Sequence, residues 1–215
     1  MRVYIDGENF RKGLTKILKD SKVIKNDREL TAYPIRALLE DVLGAENIDI
    51  SYYASKIKLP NGYTPSKHIL NHVQIIQEFT RKWVPTLAGQ QIDYIKAGNL
   101  KVKSSKECSN CHQVQDVLQE KGVDVRIAID MLEDVYDKKQ KTVVIMSSDT
   151  DLCPALHSIK KRRARVIYVC FADSTNRAVS AVANETVSIS IEKLKKYAGR
   201  VAAKPLKKKN AKAGR

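Results

Sequence analysis

No stretch of this chain approaches the 18 or more consecutive apolar residues that a membrane-spanning helix needs. The apolar core of a signal peptide is missing too, since Arg2 to Arg11 reads as a strand and a charged turn. The expectation is a cytoplasmic protein with no membrane partner. Cysteine is scarce, with only Cys108, Cys111, Cys153 and Cys170. Without an export signal these are reduced thiols or metal ligands rather than a disulfide framework. There is no internal repeat, and the 215 residues suit one domain with appendages. Acids are short as well: 24 Asp and Glu face 39 Lys and Arg, for a net charge of +15. The segment from Gly199 to Arg215 holds seven of those cations and no acid, so +8 remains without it. A basic body with a basic tail favours polyanionic partners, RNA and DNA first. The domain is expected to span 1–198, with 199–215 a tail disordered in isolation.

What is present is organised around Val143-Val144-Ile145-Met146-Ser147-Ser148-Asp149-Thr150-Asp151. The apolar run reads as a strand buried on both faces, as strands of a parallel sheet are. After it, Leu152, Ala155, Leu156 and Ile159 fall at helical spacing. The strand therefore ends on an acidic turn that opens a helix, where open α/β sheets place their ligands. Helix capping accounts for one Asp there, leaving the second to explain. Arg2-Val3-Tyr4-Ile5 repeats the arrangement, a strand ending on Asp6-Gly7-Glu8-Asn9.

Further elements follow in alternation. Helices are expected from Phe10 to Leu18, Pro34 to Leu43, Pro65 to Val84 and Gly122 to Val135, with a short one from Glu192 to Tyr197 and another opened by Ala172 to Arg177. Strands are expected at 48–54, 91–102, 166–170 and 186–189, and 20–31 reads as a polar loop. This alternation predicts a parallel, three-layer α/β domain with right-handed crossovers. Asp124 falls in the first turn of its helix; Asp130, about 9 Å further along the axis, stands outside the same metal shell and in a second one at most.

Asp6, Asp124, Asp149 and Asp151 thus gather at one sheet edge, with Glu8 nearby. Carboxylates packed together repel unless a cation lies among them. Mg²⁺ or Mn²⁺ answers that need, and a basic protein holding such an ion is a natural phosphodiesterase. Asn9 would orient a phosphate or a water.

Asp6-x-x-Asn9, Lys121-Gly-Val-Asp124 with Asp130-Met-Leu, and Ser148-Asp149-Thr150-Asp151 before Pro154 resemble, in that order, the NYN domain of the PIN-like superfamily, its bacterial LabA-like branch in particular. The resemblance covers roughly 1–190 and implies a Rossmann-like PIN fold and a Mg²⁺- or Mn²⁺-dependent endoribonuclease leaving a 5′-phosphate. It maps the catalytic and metal-binding acids onto Asp6, Asp124, Asp149 and Asp151, with Asn9 beside the first and Asp130 as a further position. Ser147-Ser148 stands where Ser-Gly is frequent, which removes no ligand. The alternative is a non-catalytic RNA-binding regulator of the same family. A haloacid-dehalogenase-like phosphatase would want a second Asp where Glu8 stands.

The remaining signals are local. Lys101, Lys103, Lys106, Lys160, Lys161, Arg162, Arg163 and Arg177 are candidate RNA contacts around the acidic pocket. Tyr52, Tyr53 and Tyr63 are candidates for base stacking, whereas Trp83 belongs to the core. Cys108-x-x-Cys111 with His68 and His72, or with His112, is half a structural zinc site. The haem attachment pattern it also matches needs an exported chain. Cys153, Cys170 and His157 read as packing residues. Nothing distinguishes a monomer from a homodimer.

Overall fold

Val143, Val144, Ile145 and Met146 are all buried, which requires a strand covered on both faces. In the computed structural model, which describes residues 1–58, 66–104 and 116–202, that strand lies inside a seven-stranded sheet. The strands are β1 (Arg2–Asp6), β2 (Asp49–Lys58), β3 (Asp93–Ser104), β4 (Asp116–Lys121), β5 (Thr142–Met146), β6 (Arg165–Phe171) and β7 (Glu185–Ile189). Their order is β4-β3-β2-β1-β5-β6-β7, and every neighbouring pair is parallel except β3 with β4. The helices are α1 (Gly7–Asp20), α2 (Ile35–Leu43), α3 (Lys67–Gly89), α4 (Val123–Tyr136), α5 (Cys153–Lys161), α6 (Arg177–Val182) and α7 (Ile191–Ala202).

Side chains of β1 alternate between two cores. Val3 and Ile5 join Phe10, Leu14, Leu38, Trp83 and Leu194 from α1, α2, α3 and α7. Tyr4 joins Ile127, Met131, Leu156 and Val179 from α4, α5 and α6. The result is the expected three-layer, mainly parallel α/β architecture. The chain leaves β1 toward β2 on one side and returns to β5 on the other, so the topological switch lies between β1 and β5.

The structure departs from the sequence reading in places. β4 was not anticipated; it doubles back on β3, pairing Leu100 with Glu120 and Lys103 with Val117. Within the expected loop, Asp27–Ala32 forms a 3-10 turn capped by Asn26. The helix expected to end at Val84 runs through Pro85 to Gly89, because buried Trp83 and Leu87 hold its last turns in the core. α7 runs past the expected helix end at Tyr197, to Ala202. Cys170 is buried as expected and Cys153 is half-buried against the same core, whereas His157 is exposed and does not pack there.

Beneath α4, Asp134 is 4% exposed and carries a compact ion network. It accepts from the Tyr4 hydroxyl, pairs with Arg2 at 3.2 Å and takes the Lys138 ammonium at 2.6 Å. Burial alone would raise its pKa, but the Lys138, Tyr4 and Arg2 interactions outweigh burial and hold it below the usual carboxylate range. A lowered folded-state pKa gives stability that is present above the unfolded value and is lost as the pH falls through the folded one. Asp134→Asn is therefore expected to cost about 2 kcal/mol at neutral pH. The deficit should shrink below about pH 4. Urea melts of both proteins at pH 7 and pH 3.5 check this; a deficit equal at both would show that the charge is not what stabilises.

Candidate active site

β1 and β5 both end at the switch point, and the residues just past them meet there. Asp6 closes β1 and caps α1, its Oδ1 accepting from the Asn9 amide at 3.0 Å. Gly7 follows because nothing larger fits: a Cβ would stand 2.3 Å from the Tyr52 ring and 2.5 Å from the Tyr53 carbonyl oxygen. Asp149 plays the same part at the other turn, its Oδ1 accepting from the Asp151 amide at 2.8 Å.

One buried hydroxyl joins the two turns. Ser147 Oγ donates to Asp6 Oδ2 at 3.1 Å and accepts from the Asp149 amide at 3.2 Å. Asn9 Nδ2 donates to Ser148 Oγ at 2.7 Å, so its amide supports the turn from α1. From the other side, Asn176, the cap of α6, donates to the Ser148 carbonyl at 2.8 Å. The sequence alone gives Asn176 no functional role, although Ala172 to Arg177 is expected to open a helix. Its signal is a cap-type residue just past a neighbouring strand.

Asp124 enters from the first turn of α4, after Gly122, whose φ of 92° is the left-handed conformation glycine tolerates. Burial first, then the charges of Asp149, Asp6 and Asp151, push the Asp124 carboxyl up to about 6. A further acid, which sequence reasoning missed, is Glu120 on β4. Burial and the charges of Asp6, Glu8 and Asp124 push it up to about 7, against the hydrogen bond from Ser55. Asp6 itself is raised by burial, although the Asn9 amide and Ser147 hydroxyl counter that. Mutual repulsion is therefore shared by at least Asp6, Asp124, Asp149 and Glu120, while Asp151 is exposed at the rim.

The other candidates separate into groups. Asp130 points away from this edge: it pairs with Arg126 at 2.7 Å and accepts from the Tyr53 hydroxyl at 2.9 Å. Tyr52 and Tyr53 are 2% and 0% exposed, so neither can stack on a base, because β2 lies inside the sheet with helices over both faces. Lys101 and Lys103 are exposed on the β3–β4 hairpin, and Arg177 is exposed at the start of α6, all at the acidic end. Lys160, Lys161, Arg162 and Arg163 are elsewhere. α5 runs antiparallel to the strands and carries them to the opposite edge. The His68 and His72 rings lie edge to face, 6.4 Å apart. Lys106, Cys108, Cys111, His112 and Tyr63 lie outside the described residues.

The cavity behind the turn, lined in part by Asn9, Ser147, Ser148 and Tyr168, holds only about 20 Å³. That is room for one water and not for a metabolite, whose sites are an order of magnitude larger. The hard oxygen donors of the acids fit a Mg²⁺ or Mn²⁺ ion chemically. Among the described residues no three His, Cys, Asp or Glu side chains form a group that could hold an ion. Mg²⁺ takes only one or two carboxylates and keeps its waters, so the residues still fit it.

The family model of the NYN domain matches residues 1–192. The chain belongs to the NYN domain family. This NYN domain is accordingly PIN-like, of a nuclease-type, RNA-associated class. No curated protein matches the chain. Among solved structures, a protein of unknown function from Vibrio parahaemolyticus resembles it with a TM-score of 0.41 and 13% identity, over 87% of this chain and 91% of that one. Among the described residues no helix is long and apolar enough to cross a membrane.

A dication should act on this NYN domain before any substrate does. Carboxyls raised in the folded state favour the protonated fold, so the ion-free protein loses stability as the pH rises from the ordinary carboxylate range through about 6 and 7. Mn²⁺ should recover that loss, and its shift of the unfolding midpoint is expected to be larger at pH 8 than at pH 5. Differential scanning fluorimetry checks this; an equal shift at both pH values would detach the ion from these acids.

Proposed function

We propose that this NYN domain is a metal-dependent endoribonuclease of the LabA-like branch. Of Asp6, Asp124, Asp149 and Asp151, one or two would hold Mg²⁺ or Mn²⁺ directly and the others through its waters, with Glu120 beside them. Asn9 positions the turn and, through it, the phosphate. When bound, the ion would supply charge neutralisation at the scissile phosphate and an activated water. The chain's own part is to hold the carboxylates at one open edge and to grip the RNA backbone with Lys101, Lys103 and Arg177. The observation that carries the reading is the Ser147 hydroxyl holding the Asp6 and Asp149 turns together at one end of the sheet, beside the raised carboxyls of Asp124 and Glu120, on a +15 protein.

A second reading, an RNA-binding regulator without turnover, is favoured by the spread of the acids, no three of which form an ion-holding group among the described residues. Incubating single-stranded RNA with the protein in Mn²⁺ or in chelator separates the two. The expected result is cleavage to 5′-phosphate ends only with the ion. Binding without cleavage in either buffer supports the regulator, and cleavage in chelator refutes the metal.

A further inference from the structure

We propose that the sheet edge opposite the acidic turns is a second surface for the RNA backbone, formed by Lys139, Lys141, Lys161, Arg162 and Arg163. This rests on RNA being the ligand of the domain, but not on its being cut. The α4–β5 and α5–β6 connections lie side by side at that edge, joined by the Arg165 amide donating to the Lys141 carbonyl at 2.8 Å and by the pairing of Thr142 with Arg165. Five residues of β5 separate it from the acidic turn, about 17 Å at an ordinary strand rise.

The cations at this edge divide into two sets. Lys138 is committed to Asp134, Arg165 to Glu185, and Lys160 donates to the Val182 carbonyl at 2.7 Å. The remaining cations are exposed and pair with no carboxylate among the described residues. Lys139 reaches only the Tyr136 carbonyl, and the Arg162 guanidinium stacks 4.3 Å above the Tyr136 ring. Asp137 is the exposed acid within the α4–β5 connection. A positive strip with its charges unspent is what phosphate contacts require.

The surroundings favour RNA over other polyanions. From 137 to 141 and from 160 to 163 every residue is charged or amide, with no apolar side chain to enter a bilayer. Tyr136, the aromatic at this edge, is half-buried beneath Arg162 and so is not a free anchor of the kind that centres a protein interface. RNA held here would extend around the domain to the acids, so that only strands longer than about ten nucleotides, at roughly 3.4 Å or more each along a curved path, engage both edges.

The test is fluorescence anisotropy of a labelled 20-nucleotide single strand across a salt series, in chelator so that cleavage plays no part. The variant combines Lys139→Asn, Lys141→Gln, Lys161→Gln and Arg163→Asn; Asn suits Lys139 and Arg163, whose φ values are 56° and 61°. A second variant, Lys141→Glu with Lys161→Glu, touches no left-handed residue and guards against misfolding. At about 0.7 per lost phosphate contact, the salt slope should drop by up to about 3, and affinity at 0.1 M salt by at least tenfold. A hexanucleotide should lose much less. An unchanged slope in both variants overturns the proposal and leaves the nuclease reading untouched. A flattened slope in a protein that never cuts RNA upholds the surface and removes the nuclease. Loss of anionic-vesicle or polyglutamate binding, with RNA affinity unchanged, overturns RNA as the occupant.

Discussion

Asp149→Asn is expected to lower the Mn²⁺-dependent cleavage of single-stranded RNA by on the order of 10³-fold while leaving the fold intact. The two halves of that expectation come from the same side chain. Asp149 caps the turn after β5 through Oδ1, which accepts from the Asp151 amide. Asn caps as well as Asp, and its carbonyl oxygen can keep that bond. The unfolding midpoint should therefore stay near the wild-type value. The substitution removes the negative charge that Asp124 feels most after burial. The Asp124 carboxyl should then move down from about 6, and the ion should be held less tightly. Single-turnover cleavage at saturating protein, with RNA affinity measured in parallel, separates lost chemistry from lost binding. A variant that cuts as fast as the wild type would remove Asp149 from the reaction, and one that fails to bind RNA would show that the change reached beyond the acid.

Gly7→Ala should cost about 2–3 kcal/mol of stability and lower cleavage by about 10²-fold. A new Cβ would meet the Tyr52 ring at 2.3 Å and the Tyr53 carbonyl at 2.5 Å. The carbonyl belongs to the ladder of β2 and cannot retreat. The ring is fixed by its hydroxyl, which donates to the Gly7 carbonyl at 2.8 Å, and by Phe10, Trp83 and Tyr94 around it. The gain in helix propensity from Ala, about 1 kcal/mol, offsets only part of this. What yields is the start of α1, and with it Asp6. A fall of about 5–10 °C in the unfolding midpoint is the stability readout. An unchanged midpoint would show that the close packing over Gly7 is not rigid.

How much of this was legible in the sequence depended on how local the signal was. The four apolar residues before Ser147 and the helical spacing after Thr150 lie in one stretch, and they located the β5 turn, with Asp6 found by its likeness to it. β4 was invisible because its burial alternates along only six residues and its partner, β3, lies across a long connection. Glu120 was lost with it. Tyr52 and Tyr53 were candidates for base stacking, but a strand with helices on both sides has no outward face. The basic run at the end of α5 was assigned to the wrong edge although the sequence contained the answer. A helix that starts where a strand ends must finish near where that strand began, and nine residues carry it that far.

Ser147 makes a lever of the switch point. Its single hydroxyl is the fastening for both acidic turns, with Asp6 on one side and the Asp149 backbone on the other. Neither turn can drift without tugging its counterpart, so a ligand that draws in Asp6 or Asp149 pulls on the other turn as well.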